Sequence, residues 1–251
     1  MSDAASPPIE AVIFDWGGTL ADYAVIEMED MWRLAAHHLA PDDGDAMVAK
    51  LVAVEEACWE RCATDQRAFT LADLLNEATS DLGVDIAEAA FEQAATHYLD
   101  SWTPHIRHDP HAAETLRALR ERGLRIGLLS NTHWPPAFHD RFLERDGLDG
   151  LIDARLYTSE MEFMKPHASA FAAALAAVDV ESPRRAVFVG DRPFDDIHGA
   201  QAAGMRTVLR PNGEVPAYDV TADAEIAALP ELVALIDDWG TRDWRSSAEA
   251  R

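Results

Sequence analysis

A short apolar run at residues 9–14, IEAVIF, ends on a carboxylate at Asp15, and from about residue 111 runs of the same kind recur between helical stretches. This alternation constrains the fold more than any other feature of the chain. Short apolar runs rich in β-branched residues suit strands buried on both faces. They fall at 125–129 (RIGLL), 186–189 (AVFV) and 205–209, with a further short strand inside 151–157. Helical patterns fill 112–122, stopped by Gly123, then 136–145, 166–177, 195–203, closed by Gly204, and 225–239 after a weak strand. Strands alternating with helices predict a doubly wound parallel-sheet α/β core. In such sheets a ligand lies beyond the carboxyl ends of the strands, so the residues after each run are the ones to inspect.

Residues 24–104 break the alternation. They are rich in Ala, Leu and Glu, and apolar residues recur at helical spacing: Trp32, Ala35 and Leu39, then Met47, Leu51, Val54 and Cys58, then Phe91, Ala95 and Leu99. Thr70 reads as an N-cap. About four helices are therefore expected as an insertion after the first strand. The expected plan is a leader at 1–8, a core formed by 9–23 and 105–239, a helical insertion at 24–104, and a polar tail at 240–251.

The formal net charge of -24 disfavours nucleic acid and anionic lipid as partners. It also repels an anionic substrate at long range, so a site for one needs a bound cation and local donors. No run of 18 apolar residues occurs, and the N-terminus lacks a basic and an apolar segment of the secretory kind, so a cytoplasmic protein with no membrane span is expected. Of the 21 basic residues only Lys50 and Lys165 are lysines, which draws each into consideration. Cys58 and Cys62, four apart on one helix face, read as buried thiols rather than a disulfide framework or zinc site.

Four polar clusters stand at the expected strand ends: Asp15 with the turn Trp16-Gly17-Gly18-Thr19-Leu20, Ser130-Asn131, Lys165-Pro166, and Gly190-Asp191 followed by Asp195 and Asp196. Together they offer carboxylates, an ammonium, a hydroxyl and a glycine-rich turn, the makings of a site for a metal and an anion. In this order and spacing they resemble the four motifs of the haloacid dehalogenase superfamily of hydrolases, with Gly199-Ala200 and Ala203-Gly204-Met205 extending the fourth. The resemblance covers about residues 9–210. It implies an α/β core with a small α-helical cap at 24–104, and hydrolysis of a small phosphorylated metabolite. Asp15 would be the nucleophile, forming an aspartyl-phosphate. Magnesium would be held by Asp15, the Gly17 carbonyl and Asp191, with Asp195 or Asp196 as a further ligand or support. Ser130, Asn131 and Lys165 would grip the transferring group.

The chain departs from that pattern at Gly17, where the family's phosphatases carry a second Asp that serves as acid and base. Such catalysis contributes roughly 10²–10⁴-fold. His133 and His167, which flank matched motifs, are possible substitutes. A second reading is a phosphonatase-like C–P hydrolase, since Asp15-Trp16-Gly17-Gly18-Thr19 also resembles phosphonoacetaldehyde hydrolases, with Lys50 as the Schiff-base lysine. A third is a 2-haloacid dehalogenase, whose fourth motif lacks the Gly-Asp that this chain keeps. A fourth is a binding domain on a decayed enzyme fold. The sequence leaves substrate identity and oligomeric state open.

Overall fold

The computed structural model describes residues 8–241, so residues 1–7 of the expected leader and 242–251 of the expected tail lie outside the described residues. Six strands, β1 (Ala11–Phe14), β2 (Arg125–Ser130), β3 (Ala154–Tyr157), β4 (Ala186–Gly190), β5 (Arg206–Leu209) and β6 (Ala224–Glu225), form one sheet. The order is β3-β2-β1-β4-β5-β6 and every pairing is parallel. The first strand sits at the centre, where the chain's winding reverses direction, so ligand chemistry is expected at its carboxyl end.

The unbroken apolar runs follow from this position. Val12 and Phe14 face one layer with Ile126, Leu128, Val187 and Val189, while Ala11 and Ile13 face the other with Leu129, Ala186 and Phe188. A strand with helices on both faces has no water-facing side, so alternation is lost. Four helices, α1 (Met28–Leu39), α2 (Gly44–Asp65), α3 (Leu71–Asp81) and α4 (Glu88–Trp102), make up the insertion. The helices α5 (Ala112–Glu121), α6 (Pro136–Arg145), α7 (Ala168–Ala177), α8 (Gly199–Ala202) and α9 (Glu231–Thr241) flank the sheet.

The insertion has its own apolar cluster around Trp32, Leu51, Leu74, Leu75 and Tyr98. Thr70 caps α3 through a capping box: its hydroxyl accepts from Asp73 N while the Asp73 carboxylate accepts from Thr70 N. The two crossings into and out of the insertion pair with each other. Ala21 bridges His108 in antiparallel sense, Asp22 N donates to Arg107 O and Asp109 N to Leu20 O. The α2–α3 loop docks on the loop before Lys165: Ala68 N donates to Glu162 O and Met164 N to Gln66 O.

Three boundaries differ from expectation. The helix expected at 195–203 is a π-helical turn, Pro193–His198, followed by the short α8. The last helix begins at Glu231 and not 225, because Ala224 and Glu225 pair with β5 and Pro230 opens the helix. The helix expected from 166 starts at Ala168, with His167 as its cap. Cys58 and Cys62 are buried on α2. Among the described residues no helix is long and apolar enough to cross a membrane.

Candidate active site

Asp15 leaves β1 at the centre of the sheet's carboxyl edge, held there by its own N–H donating to Val189 O. It is buried, and Lys165 Nζ donates to its Oδ1 at 2.6 Å and to Asp196 Oδ1 at 2.7 Å. Asp196 spends its second oxygen on Arg192 N at 2.9 Å. One ammonium thus bridges carboxylates from two loops, all of it out of water. Breaking such a buried pair costs about 3–5 kcal/mol. Asn131 positions Lys165 from the backbone side: its amide donates to Lys165 O and accepts from Lys165 N, both at 2.8 Å.

Asp191 follows β4 and is fully buried. Asn212 Nδ2 donates to its Oδ2 at 2.8 Å, while Oδ1 has no hydrogen-bond partner among the described residues. A buried carboxylate oxygen left without a donor is costly. Asp15, Asp191 and Asp196 offer oxygens within 4.8 Å of one another. Burial, then the neighbouring carboxylate of Asp196, pushes Asp191 above the ordinary carboxylate range. Burial raises Asp15 likewise, Lys165 pulls it back, and Asp196 and Asp191 add to the rise. Burial works against the Lys165 ammonium, but Asp15 and Asp196 outweigh it and hold it protonated. The cluster carries more negative charge than Lys165 neutralises.

The glycines fit this crowding. A Cβ on Gly18, whose φ is +83°, would collide with the Asp191 carboxylate, and one on Gly190 would collide with Asp196. These two positions let the motif backbones lie against the acids. Gly17 is different. A Cβ there meets nothing within 4 Å, and the position lines a cavity at the carboxyl edge of the sheet. No steric demand accounts for glycine at 17. The donor set, buried oxygens with one unpartnered, fits a small hard cation such as Mg²⁺.

That cavity, of about 490 Å³, is lined from the sheet by Asp15, Gly17, Ser130 and Asn131, and from the insertion by Glu55 and Trp59. Ser130 is buried at the end of β2. His133 also lines the cavity, but burial pushes it down to about 3, so it stands neutral with Nε2 3.0 Å from the Tyr98 hydroxyl. A neutral imidazole at that depth is a poor proton donor, against the expectation for it. His167 is drawn elsewhere: its Nδ1 accepts from Ser169 N at the start of α7, and its ring stacks on Phe163. Lys50 does not line the cavity and pairs with Asp81 at 3.2 Å, so the Schiff-base reading finds no amine there. Asp195 lies outside the three-acid group, 3.7 Å from Arg192, with burial raising it to about 6. Sequence reasoning missed Glu55, Asn212 and Arg192, none of which falls on a motif position.

Residues 9–204 match the family profile of haloacid dehalogenase-like hydrolases. The glyceraldehyde 3-phosphate phosphatase of Pyrococcus furiosus is 31% identical over 137 residues, which cover 53% of this chain and 56% of that protein. Haloacetate dehalogenase H-2 of Moraxella sp. is 28% identical over 203 residues, 79% of this chain and 84% of the dehalogenase. The chain spans roughly half the length of the glyceraldehyde 3-phosphate phosphatases it matches. The solved 2-haloacid dehalogenase of Pseudomonas syringae pv. Tomato DC3000 superposes with a TM-score of 0.68 at 25% identity, covering 92% of this chain and 99% of that one.

Proposed function

Because the chain belongs to the haloacid dehalogenase-like hydrolases, we propose that it removes a phosphoryl group from a small organic molecule, with Asp15 as nucleophile and Mg²⁺ as cofactor. Relatives named as phosphatases and as a dehalogenase both match the chain, so the choice rests on the site. The observation that carries it is Asp191. A buried carboxylate with an unpartnered oxygen beside Asp15 has a use in phosphoryl transfer, where a cation must be held. Displacement of halide by a carboxylate gives it none.

Asp15 and Asp191, with the Gly17 carbonyl, would hold the metal. Asp196, with both oxygens engaged, would keep Lys165 in place. The cation would draw charge from the phosphoryl oxygens and bring Asp15 into its ionised, nucleophilic form. Asp15 attacks phosphorus in line with the leaving oxygen. Lys165 offsets the repulsion between Asp15 and the incoming anion, and the Ser130 hydroxyl donates to a phosphoryl oxygen. The insertion would act as a cap, closing over a cavity of metabolite size and excluding bulk water.

The test is turnover of small phosphate esters and acyl phosphates by the full chain with Mg²⁺ or with chelator. Mg²⁺ is expected to be required and to raise the melting temperature, and Asp15→Asn to lower kcat by at least about 10³-fold. Turnover that survives chelation defeats the metal assignment. Undiminished turnover by Asp15→Asn defeats the nucleophile, and chloride release from 2-chloropropionate would move the chain to the dehalogenases.

A further inference from the structure

The reading above leaves the leaving group without a proton donor, and among the described residues the insertion buries one acid, Glu55. Glu55 stands on α2 at the wall of the cavity that Asp15 and Gly17 line from the sheet. Trp32 Nε1 donates to its Oε2 at 2.7 Å, and the Tyr98 hydroxyl lies 3.3 Å from its Oε1. That hydroxyl is also 3.0 Å from His133 Nε2, which lies 3.9 Å from Glu55 Oε1. His133 follows Ser130 and Asn131 on the loop after β2, and its carbonyl accepts from Leu71 N of the insertion. Glu55 is therefore moored against the strand-end loop that carries the phosphoryl-binding hydroxyl. In-line attack by Asp15 expels the leaving oxygen on the side away from the sheet, toward the insertion.

We propose that Glu55 is the general acid and base of this enzyme, supplying from the insertion the proton that no side chain at position 17 can supply. The inference rests on the phosphoryl-transfer reading above. In the first step an Asp15 oxygen bonds to phosphorus, the bond from phosphorus to the leaving oxygen breaks, and the Glu55 proton passes to that oxygen. In the second step the Glu55 carboxylate takes a proton from water as the water oxygen bonds to phosphorus. The Asp15–phosphorus bond breaks, inorganic phosphate departs, and Glu55 is again protonated.

The surroundings suit the task. The groups that face Glu55 are the indoles of Trp32 and Trp59, the Tyr98 phenol on α4, neutral His133, and Glu56 beside it on α2; none is a cation. Burial pushes its carboxyl up to about 7, where a proton is both held and readily given near neutral pH.

The test compares leaving groups. The full chain with Mg²⁺ is assayed on β-glycerol phosphate, whose alkoxide needs a proton, and on p-nitrophenyl phosphate and acetyl phosphate, whose leaving groups do not. Glu55→Gln is expected to lower kcat/KM, which reports the first step, about 10²-fold or more on β-glycerol phosphate and only a few-fold on the other two, while kcat falls on all three because they share the second step. Adding Gly17→Asp to Glu55→Gln is expected to restore part of the lost rate, since the space at 17 is open. Equal losses of kcat/KM on all three substrates, or a change confined to KM, overturn the proposal. If Glu55→Gln does not fold, the wild-type pH profile decides. A fall in kcat/KM above about pH 7 on β-glycerol phosphate that is missing on acetyl phosphate upholds it, and identical profiles overturn it. Wild-type inactivity on all three, or an active Asp15→Asn, defeats the parent reading and this one with it.

Discussion

Two residues of opposite character define the proposed chemistry. Gly17 is open space beside Asp15, the proposed nucleophile, and Glu55 is an acid buried on the facing helix. Glu55 also has a thermodynamic signature independent of catalysis. Its carboxyl titrates near 4.5 when exposed and about 7 in the fold. Between those values the folded chain holds a proton that the unfolded chain has lost, so stability falls as pH rises through the window and the full penalty stands above 7. Gln has no proton to lose. The melting temperature of Glu55→Gln relative to wild type is therefore expected to rise between pH 5 and pH 8, by on the order of 5 °C for a penalty of roughly 2–3 kcal/mol. A difference that stays flat across that range would show that Glu55 titrates as an exposed acid. The motif residues were legible because strand ends declare themselves through apolar runs. Glu55 was not: its burial comes from Trp32, 23 residues before it, and Tyr98, 43 residues after it. Neither local spacing nor a motif predicts that meeting.

Among the elements, the loop at 162–165 is the junction of the site. It accepts from Ala68 N and donates to Gln66 O of the α2–α3 loop, and exchanges hydrogen bonds with Asn131 after β2, before delivering Lys165 to Asp15. Asn131 grips both backbone groups of Lys165, so its loss frees the ammonium's anchor while leaving the ammonium itself. Asn131→Ala is expected to lower kcat roughly 10–100-fold through misplacement of Lys165, and stability by about 1–3 kcal/mol through the unpaired backbone groups. Kinetics together with a urea titration check both; unchanged kcat with lowered stability would confine Asn131 to a packing role. At this scale the sequence reads well where an unbroken apolar run or a single helical period dominates, as in β1, β4 and α6. It reads poorly at Pro193–His198, where Asp196 accepts from Arg192 N and turns the chain into a π-helical path. Asp196 is also held by the Lys165 ammonium from 31 residues away, and helical spacing carries no trace of that contact.

For the whole molecule, charge and architecture pull in different directions. A net charge of -24 repels any phosphorylated substrate before it reaches the cavity, whatever the local donors do once it arrives. Salt screens that approach over about 8–10 Å at physiological strength. kcat/KM for an anionic substrate is accordingly expected to rise several-fold between about 10 and 150 mM NaCl at fixed Mg²⁺. A flat or falling dependence, measured by stopped-flow at low substrate, would show that the field at the cavity mouth, near Arg192, governs encounter instead.

The paired crossings at residues 20–22 and 107–109 have a mechanical consequence. A single strand between two bodies is a swivel, free to turn about itself. Two strands bonded side by side form a strap that folds about one line and resists torsion. Any swing of the insertion is thereby reduced to the motion of a door, and Glu55 can travel only along the arc that the strap permits. The strap is also tied to the turn that follows Asp15, through Ala21 N to Trp16 O, Gly18 N to Ala21 O and the Trp16 indole to His108. Opening the door would therefore tug on the latch: the turn that follows Asp15 would feel whether the insertion is shut.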